Sequence, residues 1–493
     1  MSVLHQLAVG SNRQAIVIGG SMAGLLAARV LAERFDQVTI IERDRIPDKP
    51  ETRRGVPQAH QVHVLLLRGQ QILEKMFPGL GAELAAAGAT ALDWTLDCPM
   101  LDFGGWAPRF PSGLVTRACS RNLLEWTIRR RLAAYSNVRF LEECQATELL
   151  SDSSKTKVTG VQVQFHNHGQ NSSAADVETQ NSASLPADLV VDATGRNSKA
   201  PEWLKTLGCT PPQETVINSF LGYASRWYQR PADLQSDWKS IVVSSKPGEN
   251  SRGGLLYPCE GDAFVLTLAG VGRDYPPSDE AGFLEFARSL RSPILYEVVK
   301  QAQPISPIYC HRGTENRLRH YEQSRLPENF VVLGDAVCSF NPIYGQGMTA
   351  AAMAALTLEE CLKEQFQRHS QGDLTGLTRR FQKQLAKVNH IPWLMATGED
   401  FRWPTTEGGQ ADLKTRFMQR YLDRVRLITV ESPVAFKVFL EVLHLLKPPT
   451  AFFQPRILVQ VLRQFITRSR QDQPNADELS LPKLPSSAVD SLT

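Results

Sequence analysis

The sequence of 493 residues contains no run of the roughly 18 or more uninterrupted apolar residues that a membrane-spanning helix needs, so no transmembrane segment is expected. Its start, MSVLHQLAVGSNRQ, has no basic stretch leading into a long apolar run, and no secretory signal is expected either. Cysteine is scarce and unpaired in pattern. The eight residues (98, 119, 144, 209, 259, 310, 338, 361) are scattered, with no C-x-x-C and no metal-ligand spacing. In a chain this long they read as reduced, packed thiols, and a cytoplasmic location is expected. An excess of one charge is also missing. Lys and Arg number 54 against 51 Asp and Glu, and a net +3 is too little to predict nucleic acid as a partner. His60 and His63 stand three apart without a third ligand nearby, which argues against a metal site and leaves open whether either lines a ligand site. No internal repeat is visible.

What is present is ordinary in bulk and specific in two places. Hydrophobic residues make up 42% and charged residues 21%, the proportions of a globular protein. The length exceeds one simple core, so two or three domains are expected. Residues 14–43 read QAIVIGGSMAGLLAARVLAERFDQVTIIER. An apolar strand at 15–18 enters a Gly-rich turn, a helix follows with Ala, Leu and Val at helical spacing, and a strand at 38–41 ends in Glu42. Strand, turn, helix and acidic residue together form the context of a dinucleotide fingerprint. Gly19 makes the tight turn, Gly24 permits close helix–strand packing, and the helix N-terminus faces a pyrophosphate. Glu42, 23 residues after Gly19, is placed to accept hydrogen bonds from a ribose. The middle glycine of G-x-G-x-x-G is replaced by Ser21, small enough for phosphate to approach and able to donate its hydroxyl.

The second stretch is 329–350, NFVVLGDAVCSFNPIYGQGMTA. It reads as a buried strand at 330–333, a Gly-Asp turn, a loop with Asn341-Pro342, and a Gly-Gln-Gly turn opening an Ala-rich helix. Gly334 and Gly347 let backbone approach a ligand, and the helix start offers N–H donors. Between the two, Arg54 is a cation able to reach a pyrophosphate or flavin edge, ahead of a helix expected from Gln58. Ser120 is read as an N-cap, with Leu123, Leu124, Ile128 and Leu132 on an apolar stripe. Arg121 in the first turn opposes the helix dipole and so points to a nearby anion, whereas Arg129, Arg130 and Arg131 read as a solvated face. Strands are expected at 138–141, 144–149, 157–165 and 186–192, the last running into the Thr194-Gly195-Arg196 turn, with a mobile polar loop at 166–184.

From 205 to 321 the pattern changes to strand-like runs at 217–227, 240–244, 254–258 and 263–269, with one helix at 279–290. The fold class is therefore α/β: a discontinuous Rossmann-like domain (12–80, 112–204 and 322–365), a mostly antiparallel sheet domain (81–111 and 205–321) and a C-terminal helical region (366–469). Residues 470–493 read as a disordered tail. The stripes at 432–446 and 455–466 read as packing against the body or as a greasy surface for a membrane or lipophilic substrate.

With these segments in order, 14–355 resembles the FAD-dependent monooxygenases of the aromatic-hydroxylase superfamily, in particular the bacterial epoxidase and squalene-epoxidase-like branch. The resemblance implies that FAD is held by Gly19, Gly20, Ser21, Met22, Ala23, Gly24, Glu42 and Arg43, with Arg54, Arg121, Ala146 and Gly195 nearby. It places Asp335 on the ribityl–pyrophosphate region, and Pro342, Gly345, Gln346, Gly347 and Met348 around the ring. It further implies NAD(P)H as electron donor, and hydroxylation or epoxidation of an apolar aromatic or isoprenoid-like molecule with O2 through a flavin hydroperoxide. Since no second nucleotide fingerprint occurs, the donor binds transiently or electrons come through a flavin reductase or other partner. Alternatives are a flavin-dependent reductase of isoprenoid double bonds and a non-catalytic protein binding FAD and a lipophile. Halogenation ranks last, because the Trp-x-Trp-x-Ile-Pro pattern is absent. Peripheral membrane contact would be made through the C-terminal helices.

Overall fold

The structure, a computed structural model, describes residues 12–166, 182–369, 372–467 and 481–482. Most of the expected polar loop, and all of the expected tail except two residues, lie outside these.

Five parallel strands form the first layer, in the spatial order Phe330–Val332, Leu189–Asp192, Gln14–Ile18, Gln37–Ile41, Val138–Leu141. Their residues are mostly Val, Ile, Leu and Phe, as strands covered on both faces require. The register aligns Ile18 with Ile41 and with Asp192, and Asp192 with Val332. Four strand ends therefore release their loops at one edge, so that 19–23, Glu42, 193–195 and 334–335 converge although they span the chain. The helices Met22–Leu31 and Gly347–Arg368 pack on one another over this sheet through small residues such as Ala27 and Ala352.

A second layer is a seven-stranded sheet ordered Tyr309–His311, Gly222–Gln229, Ala263–Gly270, Arg252–Cys259, Ile241–Val243, Met100–Asp102, Gly105–Trp106. It is antiparallel except where Ile241–Val243 runs parallel to Met100–Asp102. Phe283, Phe286, Leu295 and Val299, from the helices Glu280–Arg288 and Ile294–Val299, cluster with Leu256, Phe264, Leu266 and Leu268 of the sheet. Tyr257 and Val265, at alternate strand positions, instead cluster with Val425, Phe436, Leu440 and Ile457 of the C-terminal helices. Those helices are Leu377–Asp400, Leu413–Ile428, Pro433–Leu443 and Pro455–Thr467. Their stripes mostly face the body, but Leu413, Phe417 and Leu462 stand outward with 84%, 67% and 60% of their surface exposed. No helix among the described residues is long and apolar enough to cross a membrane.

Several local expectations change. The helix expected from Gln58 begins at Leu67: Pro57–His60 makes one 3-10 turn, and the chain then runs extended while Gln61 donates to the Tyr309 carbonyl at 3.0 Å. The strand expected at 186–192 is two, Ser182–Pro186 and Leu189–Asp192, because Ala187 bonds back to Thr159 and Asp188 to Gln14 as the chain passes between sheets. Residues 217–227 divide likewise, with Phe220 at φ 51 turning the chain between Glu214–Ile217 and Gly222–Gln229. The helix Ile294–Val299 was not anticipated. Nor is Arg129 solvated: it is buried and donates to the Pro47 carbonyl at 2.6 Å.

Candidate active site

A cavity of about 1500 Å³ opens from the edge where the parallel strands end and continues between the seven-stranded sheet and the C-terminal helices. Of the residues assigned to a ligand from sequence, Gly19, Gly20, Ser21, Met22, Ala23, Glu42, Arg43, Arg54, Arg121, Ala146 and Gly195 line it, as do Asp335, Pro342, Gly345, Gln346, Gly347 and Met348. Gly24 does not. A Cβ there would stand 1.7 Å from the Gly19 carbonyl oxygen, so the missing side chain of Gly24 lets the helix sit against its strand. Gly19 itself has φ 103, and a Cβ on it would meet the Ala193 carbonyl at 2.7 Å.

The mouth of the turn is tied by a buried ionic network. Glu42 accepts from the Gly20 N–H at 2.9 Å and the Asp44 N–H at 3.1 Å, and pairs with Arg53 at 2.8 Å. Its carboxylate, expected to serve a ribose, is thus largely engaged by the protein. Arg53 also reaches Glu125 at 2.9 Å and Asp44 at 3.2 Å, with only 7% of its side chain exposed. Glu125 in turn pairs with Arg121 at 3.0 Å and accepts from the Ser21 hydroxyl at 2.9 Å, while Arg121 donates to Ser21 at 2.8 Å. Burial alone would raise the Glu125 pKa, but Arg121 and Arg53 outweigh it and hold the carboxyl below its ordinary value. The anion anticipated beside Arg121 is, within this chain, Glu125. Neither Arg53 nor Glu125 was singled out from sequence, although Glu125 follows Arg121 at the i+4 spacing that lets helical side chains meet.

At the other turn, Asn341 caps the 3-10 turn Pro342–Tyr344, Gly345 has φ 64, and Gly347 opens the long helix. Gln346 is buried and its Oε1 has no partner among the described residues. A Cβ on Gly347 would find only Asp335 Oδ1, at 3.9 Å, so this backbone faces open cavity. Asp335 is exposed, but to the cavity rather than to bulk solvent, and this enclosure raises its pKa against the pull of Arg196 and Arg121. These features suit a long ligand with an anionic centre. Two helix N-termini and Gly-rich turns meet it, with Arg43 and Arg54 on the exposed side.

Two further clusters fix the walls. Asp400, at the end of Leu377–Asp400, accepts from Tyr344 OH at 2.7 Å, Asn341 Nδ2 at 3.1 Å and Asn316 Nδ2 at 2.6 Å. Burial pushes its carboxyl up to about 6, against the lowering effect of those hydrogen bonds. Arg426 holds Asp102 at 2.9 Å and Glu399 at 3.1 Å, with its guanidinium 3.4 Å from the Phe103 ring centre. That contact fastens the second sheet to the helix Leu413–Ile428. No local sequence signal links these partners, which come together only in the fold.

His60 and His63 share no helix face, because the 3-10 turn Pro57–His60 ends at the first of them and the next helix begins only at Leu67. His60 stacks on Tyr309 at 3.8 Å, whereas His63 lines the cavity. His63 Nδ1 lies 3.0 Å from the Gln61 carbonyl, which can only accept, so the proton sits on Nδ1 and Nε2 is left bare. Burial and then Arg121 push its pKa down to about 3, keeping the ring neutral.

No protein-family model matches the chain. It is 34% identical over 390 residues to Protein Rv3254 of Mycobacterium tuberculosis, an alignment covering 77% of this chain and 78% of the relative. Kynurenine 3-monooxygenase of Salinispora tropica is 24% identical over 362 residues, 71% of this chain and 73% of that one. Among solved structures, the flavin-dependent brominase Bmp2 shares the fold with a TM-score of 0.62 at 15% identity, over 92% of this chain and 98% of the brominase. None of the three carries the name of an epoxidase.

Proposed function

Starting from the premise that this chain belongs to the family of Mycobacterium tuberculosis Protein Rv3254, we propose that it is an FAD-dependent monooxygenase. It hydroxylates or epoxidises an apolar small molecule, aromatic or alkene-containing and isoprenoid-like. The observation that carries this reading is the continuity of the cavity. The Gly-rich turns at one end and the apolar surface of Trp94, Leu422, Phe439 and Phe452 at the other enclose one space. A dinucleotide-sized group and a hydrophobic molecule can therefore lie in contact.

FAD would be held at its phosphates by the 19–23 turn with Arg54 and Arg43, along its chain by Asp335, and at its ring by the 342–348 turn. When bound and reduced, it supplies activation of dioxygen and transfer of one oxygen atom. The protein's own tasks are to exclude water, orient the substrate and offer backbone donors to developing charge. No acid–base pair is demanded for oxygen transfer to an alkene, and two of the histidines on the cavity wall, His63 and His444, are held neutral by burial. Electrons come from NAD(P)H directly or through a reductase. The outward Leu413, Phe417 and Leu462 are where peripheral contact with a membrane would be made, which co-sedimentation with lipid vesicles tests.

The purified protein should show the absorption bands of oxidised flavin, bleach with NADH, NADPH or an added flavin reductase, and consume oxygen in step with substrate. Absence of flavin after reconstitution rejects the reading. Substrate reduction under strict anaerobiosis replaces it with a double-bond reductase, and a strict halide requirement replaces it with a halogenase.

A further inference from the structure

The geometry points to His444 as a hydrogen-bond donor that recognises an acceptor oxygen on the bound ligand, narrowing its class to apolar molecules that carry a carbonyl, ether or hydroxyl group. This deepens the monooxygenase reading and rests on it only in using the same cavity.

His444 ends the helix Pro433–Leu443, is 3% exposed and lines the cavity. Its Nδ1 lies 3.1 Å from the backbone nitrogen of Leu67. An N–H group has only a proton to give, so Nδ1 must be bare and the single proton of the neutral ring belongs to Nε2. Burial pushes the pKa down to about 4, which keeps that ring neutral near pH 7. Burial is the sole influence that shifts the ring, so no carbonyl or carboxylate among the described residues accepts from Nε2. The ring meets Trp94 edge-on at 5.0 Å, but the Trp94 indole N–H is spent on Thr116 at 2.9 Å and offers nothing in return. The neighbouring walls, Leu66, Leu440 and Leu443, are apolar. A polar N–H held in one tautomer on a hydrophobic wall is satisfied by what the cavity contains.

Its position gives the donor a use. Leu66, next to the residue that fixes His444, comes within 3.8 Å of where a Cβ on Gly345 would stand. The imidazole therefore shares a wall with the 342–348 turn, where it can set how a substrate presents itself. This is the arrangement by which a mainly apolar site selects one polar feature.

A shape-matched pair isolates the effect: 9-fluorenone, which has a carbonyl acceptor, and fluorene, which has none. Both are titrated calorimetrically into the protein as purified, with its flavin content recorded. Wild type should bind the ketone at least about tenfold more tightly, the discrimination of one buried hydrogen bond. His444→Gln, whose amide nitrogen can occupy the Nε2 position, should keep the preference. His444→Asn, whose amide oxygen can still accept from Leu67 but which has no donor at Nε2, should lose it while fluorene binding is unchanged. Equal binding of the two by wild type, binding of neither, or a preference kept by Asn and lost by Gln overturns the proposal. Lack of flavin in a wild type that still discriminates would defeat the monooxygenase reading and leave this one standing.

Discussion

Replacing Arg53 by Met removes a cation from three carboxylates while keeping much of the aliphatic stem. Side-chain exposure is 7% for Arg53 and 6% for both Glu42 and Glu125, so little water can substitute for the guanidinium. Breaking a buried pair from one side leaves an uncompensated charge and typically costs about 3–5 kcal/mol, against whole-protein stabilities of about 5–15 kcal/mol. Urea unfolding followed by far-ultraviolet circular dichroism should therefore show a loss in that range, roughly a hundred- to a few-thousandfold in the unfolding constant. The double variant Arg53→Met, Glu125→Gln should recover part of it, because the second change neutralises one orphaned charge. The deficit should also shrink with acid. Without Arg53, Glu125 loses one of the two cations that hold its carboxyl below its ordinary value, so the stability this lowering gives, present above the unfolded pKa and lost as pH falls through the folded one, is reduced. A loss under about 1 kcal/mol, the range of exposed pairs, would refute the claim that this network is desolvated.

Other positions make independent tests. Gly24→Ala puts a methyl 1.7 Å from the Gly19 carbonyl oxygen, and the forced helix shift should cost at least about 1–3 kcal/mol in urea unfolding. Asp335→Ala and Gly347→Leu should both lower bound flavin, the second by filling cavity space that only Asp335 approaches, and full flavin absorbance in both would remove these turns from the cofactor's seat. Asp400, raised to about 6 from an ordinary 3.8, contributes most below the lower value, and its contribution is lost as pH rises through the higher one. The stability of wild type relative to Asp400→Asn should accordingly decline between pH 4 and 6 and then level, and parallel pH curves would show that the group titrates normally.

The readable parts of the chain were those whose cause is local. A run of four or five apolar residues, a Gly-rich turn and an Ala-rich helix each report their own conformation, so both ligand-shaped stretches could be anticipated, whereas the strand register that brings their loops together is seen only in the fold. Adjacent arginines could not be told apart. Arg54 was preferred for its position after two strands, yet the turn in which Val56 bonds back to Arg53 sends Arg53 into the ionic network and leaves Arg54 exposed at the cavity. Gly24 was assigned both a packing role and a cofactor role, and the geometry displays the first. Asp400 and Arg426 were invisible because their partners lie 56 and 324 residues away. The tautomer of His444 depends on Leu67, 377 residues earlier, which no window of sequence contains.

The order of the parallel strands has a consequence for how the protein is made. Leu189–Asp192 is flanked by Gln14–Ile18 on one side, but its other neighbour, Phe330–Val332, is synthesised about 140 residues later. At about 5–20 residues per second, a ribosome leaves that side unpaired for roughly 7 to 28 s, with Val190 and Val191 and their open backbone groups as a template for wrong pairing. The emerging chain is thus most exposed to aggregation while the seven-stranded sheet is being translated, and slowing elongation across 205–321 should lower the soluble yield more than slowing it after Val332.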